Sequence, residues 1–456
     1  MFKIVSALKV DLAIRNGKIY TPEGFLEASL YIDEGKIIGI TKRELIDSNE
    51  TIDAGGGFIL PGMIDMHVHL RDPGSPERED FESGTRAAAC GGVTTIADMP
   101  NTTPPVTTLE AFEHKRKAIK DKAIVDYAFI AGAGEIGEDV LRSMGRAGAV
   151  AFKTFMISRF KELAASDGQM LDNFKVIAQT GRPCLVHAEN EDIVSHGRGV
   201  AKKLNRKDPI AHCEFRPAIA EVEAISRTLL LAKETHVKLH ICHMTSRGGV
   251  EVLKSAKREG FRVTGETSPN YLLLTADAML KSGPYAKIDP PLRSLNDQIS
   301  LWEALRSGTI DVLASDHAPY AKEEKDLGWN DIFEAPSGSV AVETSLPLML
   351  DCVNRGLITL DRIIKVFSVN PAKILGLYPK KGVLAVGSDA DLVIVNMKRP
   401  FKILGEQLHS KQKHTPFEGW RGEGVPEYTI LRGSVVMESG EVVGKPGYGE
   451  FQKPSP

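Results

Sequence analysis

Between about residue 60 and residue 378, strand-like apolar runs alternate with helical stretches, and no other feature constrains the fold as tightly. The runs end at His69, Asp98, Phe129, Thr154, His187, His243, Glu266 and Asp316, and stretches such as 81–90 and 221–234 between them read as helices. Eight such units predict an α/β chain built on a (β/α)8 TIM barrel, whose chemistry sits at the C-terminal ends of the strands. Residues 10–55 read instead as short strands joined by turns, with Gly17 and Gly35 each two residues past a polar turn position, a hairpin signal. Residues 391–395 and 428–437 repeat that style. Neither end is large enough to bury a good core alone, so the two are expected to pair into one small composite β-sandwich. The expected division is 1–58, 59–378 and 379–456, and residues 320–338, with Pro and Gly among charged residues, read as a mobile loop.

Fifty-seven basic residues against 60 acidic ones leave a net charge of −3, with both signs spread along the chain. No electrostatic footprint for nucleic acid or an anionic membrane results, and a run such as Lys115-Arg116-Lys117 reads as a solvated helix face. The expected partners are a small-molecule substrate and further copies of the chain in a homo-oligomer. Cys90, Cys184, Cys213, Cys242 and Cys352 form no CxxC pair, which argues against a disulfide framework or a thiolate zinc site and fits a reducing cytoplasm. Met1 to Ile14 is interrupted by Lys3, Lys9 and Asp11 and lacks a signal-peptide apolar core, and no apolar run reaches membrane-spanning length.

Several strand ends carry metal-capable side chains. In the run 62–71, His67 and His69 point the same way from one strand, so both can bind one metal ion, and Arg71 stands just beyond for an anion. His187, His243 and Asp316 end three further strands. Singly, each has an ordinary explanation, as a core histidine or a helix cap, but four imidazoles and a carboxylate converging on one barrel rim point to a metal centre. Lys153 lies inside the apolar run 150–156 at the fourth strand end. Burial disfavours a charged lysine, and a neutral amine can take up carbon dioxide to become a carbamate, an anionic ligand with two oxygens.

In type, spacing and order these motifs resemble the cyclic amidohydrolases of the amidohydrolase superfamily, most closely their dihydroorotase and allantoinase branch. The resemblance implies that His67, His69 and Asp316 hold one divalent ion, zinc foremost, that His187 and His243 hold a second, and that Lys153, carboxylated by carbon dioxide, bridges them. It also implies that Asp316 moves the proton of the attacking hydroxide to the leaving nitrogen. His240 falls outside the ligand positions and is expected in the core or behind the ligands. Arg71 and Asn101, in His69-Leu70-Arg71 and Asn101-Thr102-Thr103-Pro104, match the dihydroorotase residues that grip a substrate carboxylate. Three substrate-binding positions depart from that pattern. Asp289 replaces an Asn, Tyr320 a His, and Ser337 the Phe of a Phe-Gly pair that ends here in Gly338. The first expectation is a dihydroorotase, hydrolysing dihydroorotate reversibly to N-carbamoyl-L-aspartate in pyrimidine synthesis. The alternative is an allantoinase or another cyclic ureide or hydantoin hydrolase. A catalytically silent scaffold is the remaining reading, and the filled ligand positions count against it.

Overall fold

The computed structural model describes residues 9–42 and 46–455. The first eight residues of the N-terminal stretch read above lie outside them. Five strands precede the barrel: β1 (Lys9–Thr21), β2 (Gly24–Asp33), β3 (Lys36–Thr41), β4 (Asp47–Asp53) and β5 (Phe58–Pro61). The barrel strands are β6 (Met63–Val68), β7 (Val93–Asp98), β8 (Asp126–Gly132), β9 (Ala151–Phe155), β10 (Pro183–His187), β11 (Lys238–Ile241), β12 (Val263–Thr267) and β13 (Val312–Leu313). Four more follow: β14 (Leu392–Lys402), β15 (Arg421–Leu431), β16 (Ser434–Glu438) and β17 (Glu441–Val442).

Strands β6 to β13 pair in parallel with their sequence neighbours. A parallel bridge from Val68 to His317 ties the two ends together. His69 N donates to His317 O at 2.7 Å, and Ser315 N donates to the buried Asp65 carboxylate at 3.2 Å. Both faces of these strands are covered, which is why they read as continuous apolar runs rather than alternating ones. Ile64, Met66, Ala97, Ala128, Ile130, Leu185 and Val312 fill the barrel interior.

Helices cover the outside. The stretch 81–90 is the helix Phe81–Cys90, started by an Asp80–Ser83 capping box and stopped at Gly91. The stretch 221–234 lies within the helix Ala218–Thr235, which buries Ala224, Ile225, Thr228, Leu229 and Ala232 along one face.

The remaining strands form one nine-stranded sheet that joins the two ends of the chain. β14 pairs antiparallel with β5 through Leu392↔Pro61 and Ile394↔Ile59, and Leu12, Ile14, Leu30, Ile32, Ile59, Leu392, Ile394 and Ile430 share a core. The signal at Gly35 is a true hairpin between β2 and β3. The one at Gly17 is not. β1 runs straight through it with a bulge, Asn16 at φ 55°, where its partner changes from β4 to β5. The segment 320–338 is likewise more ordered than its composition suggests. It contains a short helix, Lys322–Asp326, and a 3₁₀ turn, Leu327–Trp329. Fully buried Lys325 ties that helix down by donating to the carbonyls of Lys287, Pro336 and Gly338. Among the described residues no helix is long and apolar enough to cross a membrane.

Candidate metal centre

One cavity of about 310 Å³ at the C-terminal ends of the strands gathers His67, His69, Arg71, Asn101, His187, His243, Asp289, Asp316, Tyr320, Ser337 and Gly338. Sequence positions spread over 270 residues thus share a single wall, and Lys153 lies fully buried beside them on β9. Three of these residues hold left-handed backbone, with φ 58° at Arg71, 33° at His243 and 50° at Asp316. Non-glycine residues avoid that region, and its concentration here marks a site where side-chain direction outweighs backbone comfort.

Two sets of donor atoms stand out. His67 Nε2 and His69 Nε2 lie 3.4 and 3.6 Å from Asp316 Oδ1. Ligand atoms about 2.1 Å from one tetrahedral ion sit roughly 3.4 Å apart, so this spacing fits a shared divalent cation. His187 Nδ1 and His243 Nε2 form the second set, 3.0 Å apart. Burial, with the cations nearby, holds His69 and His243 well below the ordinary imidazole range, in the neutral form that binds metals. The Nδ1 atoms of both are buried and unpartnered. Burial pushes Asp316 up to about 6 against the opposing charge of His67. Lys153 donates to Cys242 Sγ at 2.8 Å and has no carboxylate partner among the described residues. A buried amine without a counter-ion is a costly element unless it is modified or neutralised.

Groups behind these donors fix their orientation. Glu266 accepts from His67 Nδ1, from His243 N at 3.1 Å and from His240 Nε2 at 3.0 Å, while His240 Nδ1 meets Thr264 Oγ1 at 2.8 Å. His240 therefore acts through Glu266, behind the donors. Glu189 accepts from His187 Nε2 at 2.7 Å and is gripped by the guanidinium fork of Arg216. Carboxylates that receive the second nitrogen of a ligating histidine fix its tautomer and raise its basicity.

The substrate-facing positions differ in their engagement. Arg71 stacks on the Tyr320 ring at 4.7 Å with its Nε unpartnered, and Asn101 Oδ1 is unpartnered too. Arg78 also lies over the Tyr320 ring, at 5.0 Å. Asp289 is tied into an ion cluster with Arg159, Arg216 at 3.0 Å and His212 at 3.2 Å. Ser337 Oγ is buried and free, and a side chain at Gly338 would meet Ala318 O at 2.1 Å.

Sequence reasoning missed three residues that line the cavity: Phe155, which ends β9, and Arg159 and Phe160 on the loop after it. Phe155 and Phe160 stack with ring centres 3.9 Å apart, each 5.6 Å from His187. Their signal was available, because they lie within seven residues after Lys153, and the ends of barrel strands and the loops after them carry substrate contacts.

Comparison with known proteins agrees with this geometry. The Amidohydrolase family model matches residues 58–436. An L-hydantoinase from Paenarthrobacter aurescens is 40% identical over 446 residues, covering 97% of both chains. A dihydroorotase from Methanosarcina acetivorans is 38% identical over 453 residues, covering 97% of this chain and 95% of its own. The solved L-hydantoinase (dihydropyrimidinase) from Arthrobacter aurescens superposes with a TM-score of 0.95 at 40% identity, covering 97% of this chain and all of that one. This chain belongs to the amidohydrolase family and is one of its cyclic amidohydrolases.

Proposed function

We propose that the protein opens the ring of cyclic ureides of the hydantoin and dihydropyrimidine class, giving N-carbamoyl acids. The observation that carries this reading over dihydroorotate is the stacked Phe155–Phe160 pair beside His187. An apolar wall favours a neutral ring edge or an alkyl or aryl substituent, whereas a ring carboxylate pays desolvation against it. Similarity to an L-hydantoinase over nearly the full length supports the same choice. Dihydroorotate is the second reading, and the unpartnered Arg71 and Asn101 atoms in the cavity favour it.

His67, His69 and Asp316 would hold one divalent ion and His187 and His243 another, with a carbamate on Lys153 between them. Such a pair, most readily zinc, supplies Lewis-acid polarisation of the amide carbonyl and water activation near neutral pH. The chain's own residues then do the rest. Asp316, raised to about 6 by burial, takes a proton from the attacking water and delivers it to the leaving ring nitrogen. Asn101, with its free amide oxygen inside the cavity, accepts from a ring N–H. Glu266 and Glu189 keep the imidazoles aimed while charge shifts between steps.

The test is turnover of hydantoin and of 5-phenylhydantoin by the metal-loaded enzyme, with the N-carbamoyl product identified by mass. Phe155→Ala should lower kcat/KM for 5-phenylhydantoin about tenfold, a loss of the order of one aromatic contact. Absence of turnover on either ring would remove the reading.

A further inference from the structure

A second cavity of about 450 Å³ adjoins the first and shares Arg159, Tyr320, Pro336 and Ser337 with it. Ring opening as described above gives it no role. Its far wall is one face of the helix Glu191–Lys203, where Glu191, Val194, Ser195 and Arg198 recur at helical spacing. That helix begins four residues after His187, so the wall is anchored to the metal centre through β10. Ser337, small where relatives of the resembled branch carry a Phe, stands on the boundary between the two spaces.

The charges of this chamber are unevenly used. Five cationic side chains line it against three carboxylates. Arg78 is spent on Glu324, and Arg159 and Arg216 on Asp289. Glu191 is occupied by Ser158 N and Ser195 Oγ. Arg198 is exposed and, among the described residues, makes no hydrogen bond or ion pair. The Phe155–Phe160 stack lines the first cavity, Arg198 lines the second, and Arg159 lines both.

We infer that the chamber is a subsite for a carboxylate-ended substituent of the cyclic ureide, with Arg198 as the residue that selects the charge. The inference rests on the ring-opening reading above and names its substrate class: hydantoins bearing a short acidic side chain. An apolar stem suits the aromatic lining of the first cavity, and a terminal carboxylate suits the free guanidinium in the adjoining one.

The experiment compares 5-(2-carboxyethyl)hydantoin with its carboxamide isostere and with unsubstituted hydantoin, on the metal-loaded wild type, Arg198→Gln and Ser195→Trp. Arg198 and Ser195 are both exposed, so neither change threatens the fold. Arg198→Gln should cut the acid-over-amide ratio in kcat/KM about fivefold, the scale of a partly exposed ion pair, and leave hydantoin unchanged. Ser195→Trp, which fills the chamber, should lower both substituted substrates about tenfold and spare hydantoin. An acid-over-amide ratio that Arg198→Gln does not move overturns the subsite. If the wild type opens no hydantoin ring, the ring assignment falls separately, and calorimetric binding of the same acid and amide decides the subsite. A wild-type preference for the acid that Arg198→Gln abolishes upholds it, and equal binding refutes it.

Discussion

His187 Nδ1 and His243 Nε2 face each other at 3.0 Å from the ends of adjacent strands, with Glu189 fixing the other nitrogen of His187. Two imidazole nitrogens cannot both present protons across that gap. The spacing fits two ligands aimed at one ion, and that of His67, His69 and Asp316 fits a second.

Purified protein should therefore carry about two divalent ions per chain, as a site of this ligand count provides. His187→Ala should lose close to one ion and most of the activity together. Elemental analysis beside a rate assay checks this, and full activity with a single retained ion would contradict it.

Lys153 should be carboxylated in the active enzyme. Lys153→Ala should be nearly inactive, and small carboxylic acids should restore part of the rate by standing in for the carbamate. Carbon-13 NMR after labelled bicarbonate reads the modification directly. An unmodified amine in the metal-loaded protein would refute the assignment.

Glu266 should matter through His67 rather than through substrate. Glu266→Gln keeps the size but weakens the acceptor for His67 Nδ1 and His240 Nε2, so metal affinity should drop roughly 10- to 100-fold with little change in KM. Metal affinity measured by chelator competition separates this from a substrate contact, which would move KM at constant affinity.

His409 offers a pH test away from the metal centre. Its hydrogen bond to Glu343, 3.0 Å from Nδ1, raises its pKa above the ordinary value of 6.5 despite burial. A group whose folded pKa is raised contributes stability that is fully present below its unfolded pKa and is lost as pH rises through the folded one. Wild type should then exceed His409→Gln in Tm by most near pH 6, with the gap closing toward pH 9. A gap independent of pH would show that the contact is not ionic.

Much of this is legible in the sequence. Apolar runs buried on both faces and ending in His or Asp mark barrel strands because a parallel sheet covered by helices needs no polar face, and the metal-capable residues fall at those ends. Glu266 and Glu189 were visible only as residues near strand ends, since their role depends on which imidazole the closed barrel brings beside them. The bulge at Asn16 read as a hairpin because Asn-Gly serves both, and only the partner switch from β4 to β5 decides between them. Lys325 looked like one charge in a polar loop, and its burial under three carbonyls is a tertiary property. Substrate choice was the least legible feature. Arg71 and Asn101 suggested a carboxylate, whereas the stacking of Phe155 on Phe160 in the same cavity depends on how the chain folds back after β9.

Dihydrouracil and dihydroorotate differ only in the carboxylate on the ring, so their kcat/KM ratio on one metal-loaded preparation tests the central claim most directly. The account predicts that dihydrouracil is preferred by about tenfold or more, and that Arg71→Met changes its turnover only slightly. A preference for dihydroorotate that Arg71→Met destroys by roughly a hundred- to several-thousand-fold, the cost of about 3–5 kcal/mol for stripping a buried carboxylate of its guanidinium, would contradict it and make the enzyme a dihydroorotase.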